Sequence, residues 1–352
     1  MKCGLITFHR TSNFGSALQT YGLYKKIIDL GMECEIIDYR CKAIEKREAL
    51  KPDLKNIKSI VKYLLFTRKL VQKGKTLQEF LEDNTVLSEK YDKNNIYSAE
   101  DKYDLFMIGS DIVWGRDITE DDLIYFLDFV KDREKKFAFA ASVGSYTERD
   151  NDIIVGELLN QFSAIAVREK EAIQWVRNIS DKEAVWVCDP TMLLTVNEWE
   201  KIIRPVQTYE KYVLIYFFDD KRKCVADAIK YAEKNKLKVL CINYSRPIRG
   251  VKNIRPTSLQ EFLGLIKNAS FVFTASYHGL LFSLYYHKQF LFYTRAHSSR
   301  VLSLATRLGI MERCGDYIVD NQISVLDYIE IDRKIEEFRN ESCNVLAQML
   351  DK

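Results

Sequence analysis

Short apolar runs alternate with stretches in which apolar residues recur every three or four positions, and this rhythm governs most of the 352-residue chain. The first run, KCGLITF, ends in a polar loop, HRTSNFGS. Ala17, Leu18, Tyr21, Leu23, Tyr24, Ile27 and Ile28 then fall at helical spacing, and Gly31 reads as the stop of that helix. The next run, CEIIDY, completes a strand–loop–helix–strand unit, the start of a parallel sheet covered by helices. YDLFMIGSD, KKFAFAAS, a helix around 150–162, AIAVRE and VWVCDP continue the pattern. A second series opens at Tyr212 with YVLIYFF, a helix over 221–235 and KVLCIN. It goes on through SLQEFLGLIKNA, FVFTAS, HGLLFSLYYHK, QFLFYTR and SSRVLSLATRLG. Two α/β domains follow, over residues 1–205 and 206–331, with a closing helix over 332–352 that crosses back toward the first.

Composition narrows the class. Hydrophobic residues make up 47% and charged residues 29%, as in ordinary soluble globular proteins. A net charge of +3 gives no reason to expect nucleic acid as a partner. None of the eight cysteines forms a CxxC pair, so no zinc site or redox dithiol is expected. MKCGLITFHR is too short in apolar residues for a secretory signal, and no apolar run is long enough to span a membrane. The expected location is cytoplasmic.

Open α/β sheets bind ligands beyond the carboxyl ends of their strands, and that rule selects five loops. The first carries His9, Arg10, Ser12, Asn13, Phe14, Gly15 and Ser16, where a glycine and a helix N-terminus suit an anion, or where Ser or Asn simply caps a helix. The second, GSDIVW, puts Ser110 and Asp111 at a strand end, to hold a sugar hydroxyl or to cap a helix. The third places Arg168 directly after AIAV, as a bidentate ligand for phosphate or carboxylate or as half of a surface ion pair. In the fourth, FVFTASYHGLLFS runs a buried strand into Thr274, Ser276 and His278, with Gly279 next. A lone histidine is usually structural, but this one stands at the expected ligand site and exchanges a proton near neutrality. One strand later, Thr294, Arg295, His297, Ser298, Ser299 and Arg300 gather at a helix start, again suited to an anion.

Other patterns mislead. Gly74-Lys75-Thr76 lacks the first glycine and the preceding strand of a phosphate-binding loop. No GxGxxG or GxSxG occurs. Asp219-Asp220 reads as a helix cap rather than a metal site.

Taken in order, LITFHRTSNFGSALQTYGL, YDLFMIGSDIVW, YFLDFV, FAFAASVGS, AVREKEA, CDPTMLL, LGLIKNASFVFTASYHG and SSRVLSLATRLGI resemble the polysaccharide pyruvyl transferase family, in its bacterial capsule and exopolysaccharide branch. The resemblance implies an α/β fold of two Rossmann-like domains, glycosyltransferase-B-like, with the cleft between them. It also implies transfer of pyruvate from phosphoenolpyruvate to saccharide hydroxyls as a ketal, with phosphoenolpyruvate a co-substrate and no cofactor or metal. His278 would be the catalytic acid/base. Arg168, Ser276, Arg295, His297 and Arg300 would bind the donor, and His9, Asn13, Gly15, Ser110 and Asp111 the acceptor. Members of the family often carry Arg-x-His where this chain has Ser276-Tyr277-His278, so one phosphate ligand is missing or comes from Arg295 or Arg300. The alternatives are a glycosyltransferase using a nucleotide sugar, for which Glu261 is the one candidate ribose ligand, and a non-catalytic sugar-binding relative.

One stretch fits neither domain's rhythm. Residues 42–75 hold eleven Lys or Arg and three Asp or Glu, a net of +8. Within it Ile57, Ile60, Val61, Leu64 and Leu65 form one helical stripe, with Lys58, Lys62, Arg68 and Lys69 around it. The plainer expectation is a helix that buries this stripe against its own domain. The other is peripheral membrane contact through 56–75, at the inner membrane face, where the family resemblance implies a lipid-linked saccharide acceptor.

Overall fold

The apolar runs become two parallel sheets. The structure, a computed structural model, describes residues 1–49, 56–144, 153–207, 210–217, 222–294, 299–317 and 325–351, with the backbone alone at 58, 59, 62, 222 and 299. By packing, Met1–Ala49, Gln78–Leu194 and Ile335–Lys352 form one compact unit, and Leu50–Leu77 with Thr195–Lys334 form another.

In the first unit the strands are β1 (Lys2–Ile6), β2 (Glu33–Tyr39), β3 (Leu87–Tyr91), β4 (Leu105–Ile108), β5 (Lys136–Ala141), β6 (Ala164–Val167) and β7 (Ala184–Trp186). They form one sheet in the order β3-β2-β1-β4-β5-β6-β7, parallel throughout. Its helices include α1 (Phe14–Asp29), α2 (Lys42–Glu48), α5 (Arg116–Thr119), α6 (Ile153–Leu159) and α7 (Lys170–Ile179). The second unit has α3 (Ile57–Lys62), α8 (Val196–Ile202), α9 (Arg222–Asn235), α10 (Leu259–Lys267), α11 (Tyr277–Tyr285) and α12 (Ser299–Leu308). Its strands β8 (Tyr212–Tyr216), β9 (Lys238–Ile242), β10 (Lys252–Ile254), β11 (Phe271–Thr274) and β12 (Phe290–Phe292) pair in parallel as β10-β9-β8-β11-β12. The boundary between units falls inside α4 (Arg68–Asn84) and inside α13 (Tyr328–Leu350). Strand order reverses between β1 and β4 in one sheet and between β8 and β11 in the other, which opens a crevice at each carboxyl edge.

Strands β3 and β10 were not legible as apolar runs. Both are edge strands with largely open faces, so they lack the continuous hydrophobicity of the buried ones. The eight cysteines are free thiols, seven of them buried, as expected of small hydrophobes inside a core. No helix of the described residues is long and apolar enough to cross a membrane.

Within the first unit, Trp114 of GSDIVW anchors the loop after β4. Its ring stacks on Phe126 at 5.7 Å and meets Trp175 and Phe162, while its Nε1 donates to the Tyr125 carbonyl at 3.0 Å. The last α13 turns pack on this unit as well. Phe338 lies 4.9 Å from Trp186, Ser342 Oγ accepts from the Cys188 amide at 2.9 Å, and Arg339 Nε donates to the Met192 carbonyl at 2.7 Å.

Gly109 is fixed by two constraints together. Its φ is +127°, and a Cβ there would lie 2.1 Å from the Phe139 carbonyl oxygen. Gly109→Ala should therefore cost about 3 kcal/mol or more. Thermal unfolding would read this as a fall of several degrees, and an unchanged midpoint would mean that the loop after β4 is not held as described.

Candidate functional site

At the first crevice, the loop after β1 enters α1 through Asn13, whose Oδ1 accepts from the Gly15 amide at 2.9 Å as an N-cap. Asn13 is exposed and Gly15 buried. His9 is buried, with Nε2 3.1 Å from Asp38 Oδ1 and Nδ1 3.2 Å from the Thr7 carbonyl. Arg10 grips the same Asp38 carboxylate with both prongs, at 2.6 and 2.7 Å, and Arg40 approaches it at 3.0 Å. Burial works against charge on Asp38, but hydrogen bonds from His9 and Arg10 and their charges outweigh it, holding the carboxyl far below the usual range. Asp38 and Arg40 escaped the sequence reading. The DYR that ends β2 obeys the same strand-end rule that selected the other loops, and it would have found them.

A second network joins the carboxyl ends of five strands. Arg168, following β6, is 4% exposed and donates through Nη1 to Asp189 Oδ2 at 2.9 Å and to Ser110 Oγ at 3.1 Å. Its Nε lies 3.4 Å from Glu169 Oε1, which also accepts from Ser142 Oγ, beyond β5, at 2.6 Å. Asp189, after β7, uses its other oxygen to accept from the Thr191 amide. Gln19 of α1 accepts from the Ser110 amide at 3.1 Å and donates to Thr7 Oγ1, and Thr7 donates to the Ser110 carbonyl at 2.9 Å. The ion pair weighed for Arg168 is present, but it is buried rather than at the surface, because Asp189 and Glu169 converge on it from neighbouring loops. Ser110 is fully buried inside this network. Asp111 is half-buried at φ +73° and accepts from Ser16 Oγ, which leaves it and Asn13 as the more open of the acceptor candidates.

The second unit builds its own strand-end site. Thr274 Oγ1 donates to the Tyr216 carbonyl at the end of β8, 2.8 Å away, and accepts from the Ser276 amide at 3.1 Å. This bond ties β11 to β8 at the switch point. Ser276 Oγ accepts from the Gly279 amide at 3.3 Å and so N-caps α11. A Cβ on Gly279 would sit 2.3 Å from Thr274 Oγ1, so glycine lets the helix start directly against the strand end. His278 rides in that first turn, 9% exposed, its ring 5.4 Å from that of Tyr277. At the position where the family often carries the arginine of Arg-x-His, Ser276 caps α11 instead. An arginine has no acceptor and could not cap α11 as Ser276 does. Arg300 stands half-buried in the first turn of α12, and Arg295 and His297 lie outside the described residues. Glu261 Oε2 accepts from the Thr257 and Ser258 amides at 2.6 and 3.2 Å, so the candidate ribose ligand is engaged in a capping box. No group of His, Cys, Asp and Glu able to hold a metal ion occurs among the described residues.

Two doubly wound parallel sheets, each with polar groups gathered at its switch point, define an α/β protein of two Rossmann-like domains, glycosyltransferase-B-like in class. The model of the polysaccharide pyruvyl transferase family matches residues 13–297, and the chain belongs to that family. Membership places it among transferases that move pyruvyl groups in polysaccharide biosynthesis. No curated protein sequence is similar enough to count as a match. Among solved structures, S. aureus MnaA with UDP is 12% identical, with 97% of each chain covered and a TM-score of 0.51. A Listeria monocytogenes protein described as a UDP-N-acetylglucosamine 2-epimerase is 11% identical, with 99% of this chain and 90% of that one covered and a TM-score of 0.50. At such identities the likeness is one of fold.

Two outcomes follow from the networks. Arg168→Ala strands two buried carboxylates and should destabilise the first unit by about 3–5 kcal/mol. Arg168→Lys should recover only part of this, since an ammonium cannot reproduce the planar fork. Chemical denaturation reads both, and a loss under about 1 kcal/mol for the alanine variant would contradict the buried ion pair. For Asp38 the folded pKa lies below the unfolded one, so its stabilisation is full above about pH 4 and is lost as pH falls further. Asp38→Asn should lower stability at pH 7 and flatten its decline below pH 4, as measured by urea unfolding across that range.

Proposed function

We propose that this chain transfers pyruvate from phosphoenolpyruvate to two hydroxyls of a saccharide, forming a cyclic ketal, with His278 as the acid/base. The observation that carries the reading is the placement of His278. It stands at the switch point between β8 and β11, on a helix start fixed by Thr274, Ser276 and Gly279. A helix N-terminus favours an anion, which suits the donor's phosphate and carboxylate. In this reading Arg300, with Arg295 and His297 just before it in sequence, supplies cationic ligands for the donor. Ser276 acts by positioning, through the cap it gives α11.

The chemistry asks for few groups. Protonation of the enolpyruvyl methylene by the His278 imidazolium turns it into a methyl and leaves an oxocarbenium-like carbon. One acceptor hydroxyl adds to that carbon and gives up its proton to a base, a role open to the now neutral imidazole. The C–O bond to phosphate breaks, phosphate departs with the electron pair, and a second hydroxyl closes the ring, its proton passing to the departing phosphate. Asn13 and Asp111, the more open polar groups at the first unit's switch point, are assigned to the acceptor. His9 and Gly15 shape the loop after β1 and Ser110 the loop after β4, and Arg168 positions Ser110 rather than touching the donor.

His278→Gln should lower turnover by about 10²–10⁴-fold with the thermal midpoint preserved. Release of inorganic phosphate together with appearance of the pyruvylated acceptor gives the readout. Undiminished turnover in the folded variant would remove His278 from the mechanism. Phosphoenolpyruvate should also raise the thermal midpoint of the wild-type chain, because a ligand of the folded form stabilises it. Stabilisation by a nucleotide sugar with no response to phosphoenolpyruvate would replace this reading with glycosyl transfer.

A further inference from the structure

The basic stretch forms an almost continuous helix, α3 followed by a π-helical turn (Tyr63–Thr67) and then α4. One side of it is fixed to the second unit. The Phe66 ring lies 5.2 Å from the Arg255 guanidinium, Lys73 Nζ stands 4.1 Å from the Tyr244 ring centre, and Leu77 is buried. At about 100° per residue these three positions share one face. The stripe expected to dock does not. Ile57 is 79% exposed, Leu64 60%, Leu65 55% and Val61 47%, with Val71 at 40%. Ile60 alone of the expected stripe is partly covered. The reason is that Phe66 and Lys73 found partners in Arg255, just after β10, and Tyr244, in the loop after β9, and so turned this face rather than the aliphatic stripe toward the unit.

The open side therefore presents aliphatic side chains interleaved with exposed Arg68, Lys69 and Lys75. Residues 56–75 contain six Lys or Arg and no acid. An exposed aliphatic row of this length is unusual on a monomer and marks an interaction surface. The charge selects the occupant. A second copy of the same face would bring like charges together, whereas a bilayer rich in anionic lipid supplies both an apolar layer and negative headgroups. We infer that Ile57, Val61, Leu64, Leu65 and Val71 lie in the interface of an anionic membrane, with Arg68, Lys69 and Lys75 at its headgroups. The inference rests on no part of the donor assignment.

The test is sedimentation of the full chain with vesicles of phosphatidylcholine, or of phosphatidylcholine mixed with phosphatidylglycerol. Binding should require phosphatidylglycerol and weaken steeply as salt is raised. Leu64→Gln with Leu65→Gln, and separately Arg68→Glu with Lys69→Glu, should each reduce the bound fraction at least about tenfold. These side chains are exposed, so the thermal midpoint should hold. Absence of binding, equal binding to neutral vesicles, or undiminished binding by either variant would overturn the proposal. So would light scattering that shows a wild-type dimer which Leu64→Gln with Leu65→Gln turns into a monomer, because the face would then belong to a second copy.

Discussion

The ends of five strands at the carboxyl edge of the first sheet are tied to one buried charge. Arg168 is neutralised by Asp189 and Glu169, and through Ser110, Ser142, Gln19 and Thr7 its bonds reach the ends of β1, β4, β5, β6 and β7. Burying an ion pair gains little by itself, since desolvation consumes most of the attraction. Leaving one member unpaired costs several kcal/mol, a large share of the ~5–15 kcal/mol that separates a folded domain from its unfolded chain. The network thus acts less as a source of stability than as a rule that forbids any other arrangement of these five loops.

That constraint fixes how the short loops at these strand ends present their side chains. Beside the network stand the more open Asn13 and Asp111, each held by groups already committed: Gly15 to the Asn13 cap, Ser16 to Asp111, Trp114 to its aromatic nest. The second unit solves the same problem with less charge. There a threonine, a capping serine and a glycine set the angle at which α11 leaves β11, and the histidine follows from that angle. Preorganisation of this kind spares a reacting site the cost of ordering its own side chains.

Periodicity made most of the fold readable, because a fully buried strand cannot avoid an apolar run. It failed at β3 and β10, whose edge positions remove that demand. Strand-end loops were readable for the same reason, so His278, Ser110 and Arg168 stood out. Their partners did not. Asp189 is 21 residues from Arg168, Asp38 29 from His9, and Ser110 103 from Thr7. Nothing local distinguishes an arginine that meets two carboxylates from one that faces solvent. The basic helix shows the limit more sharply. Its pattern told which side chains share a face, but the docked face was decided by Tyr244 and Arg255, far along the chain.

The path of α13 has a consequence for how the molecule is made. Trp186, the Cys188 amide and the Met192 carbonyl are completed by Phe338, Ser342 and Arg339, which leave the ribosome some 150 residues later. Domains synthesised first usually finish folding first. Here the first unit needs α13, the last of its elements to be made. The second unit's sheet has all its strands before α13 emerges, while the first unit waits with β7 and its following turn uncovered. During translation the surface around Trp186 therefore stays uncovered until α13 emerges.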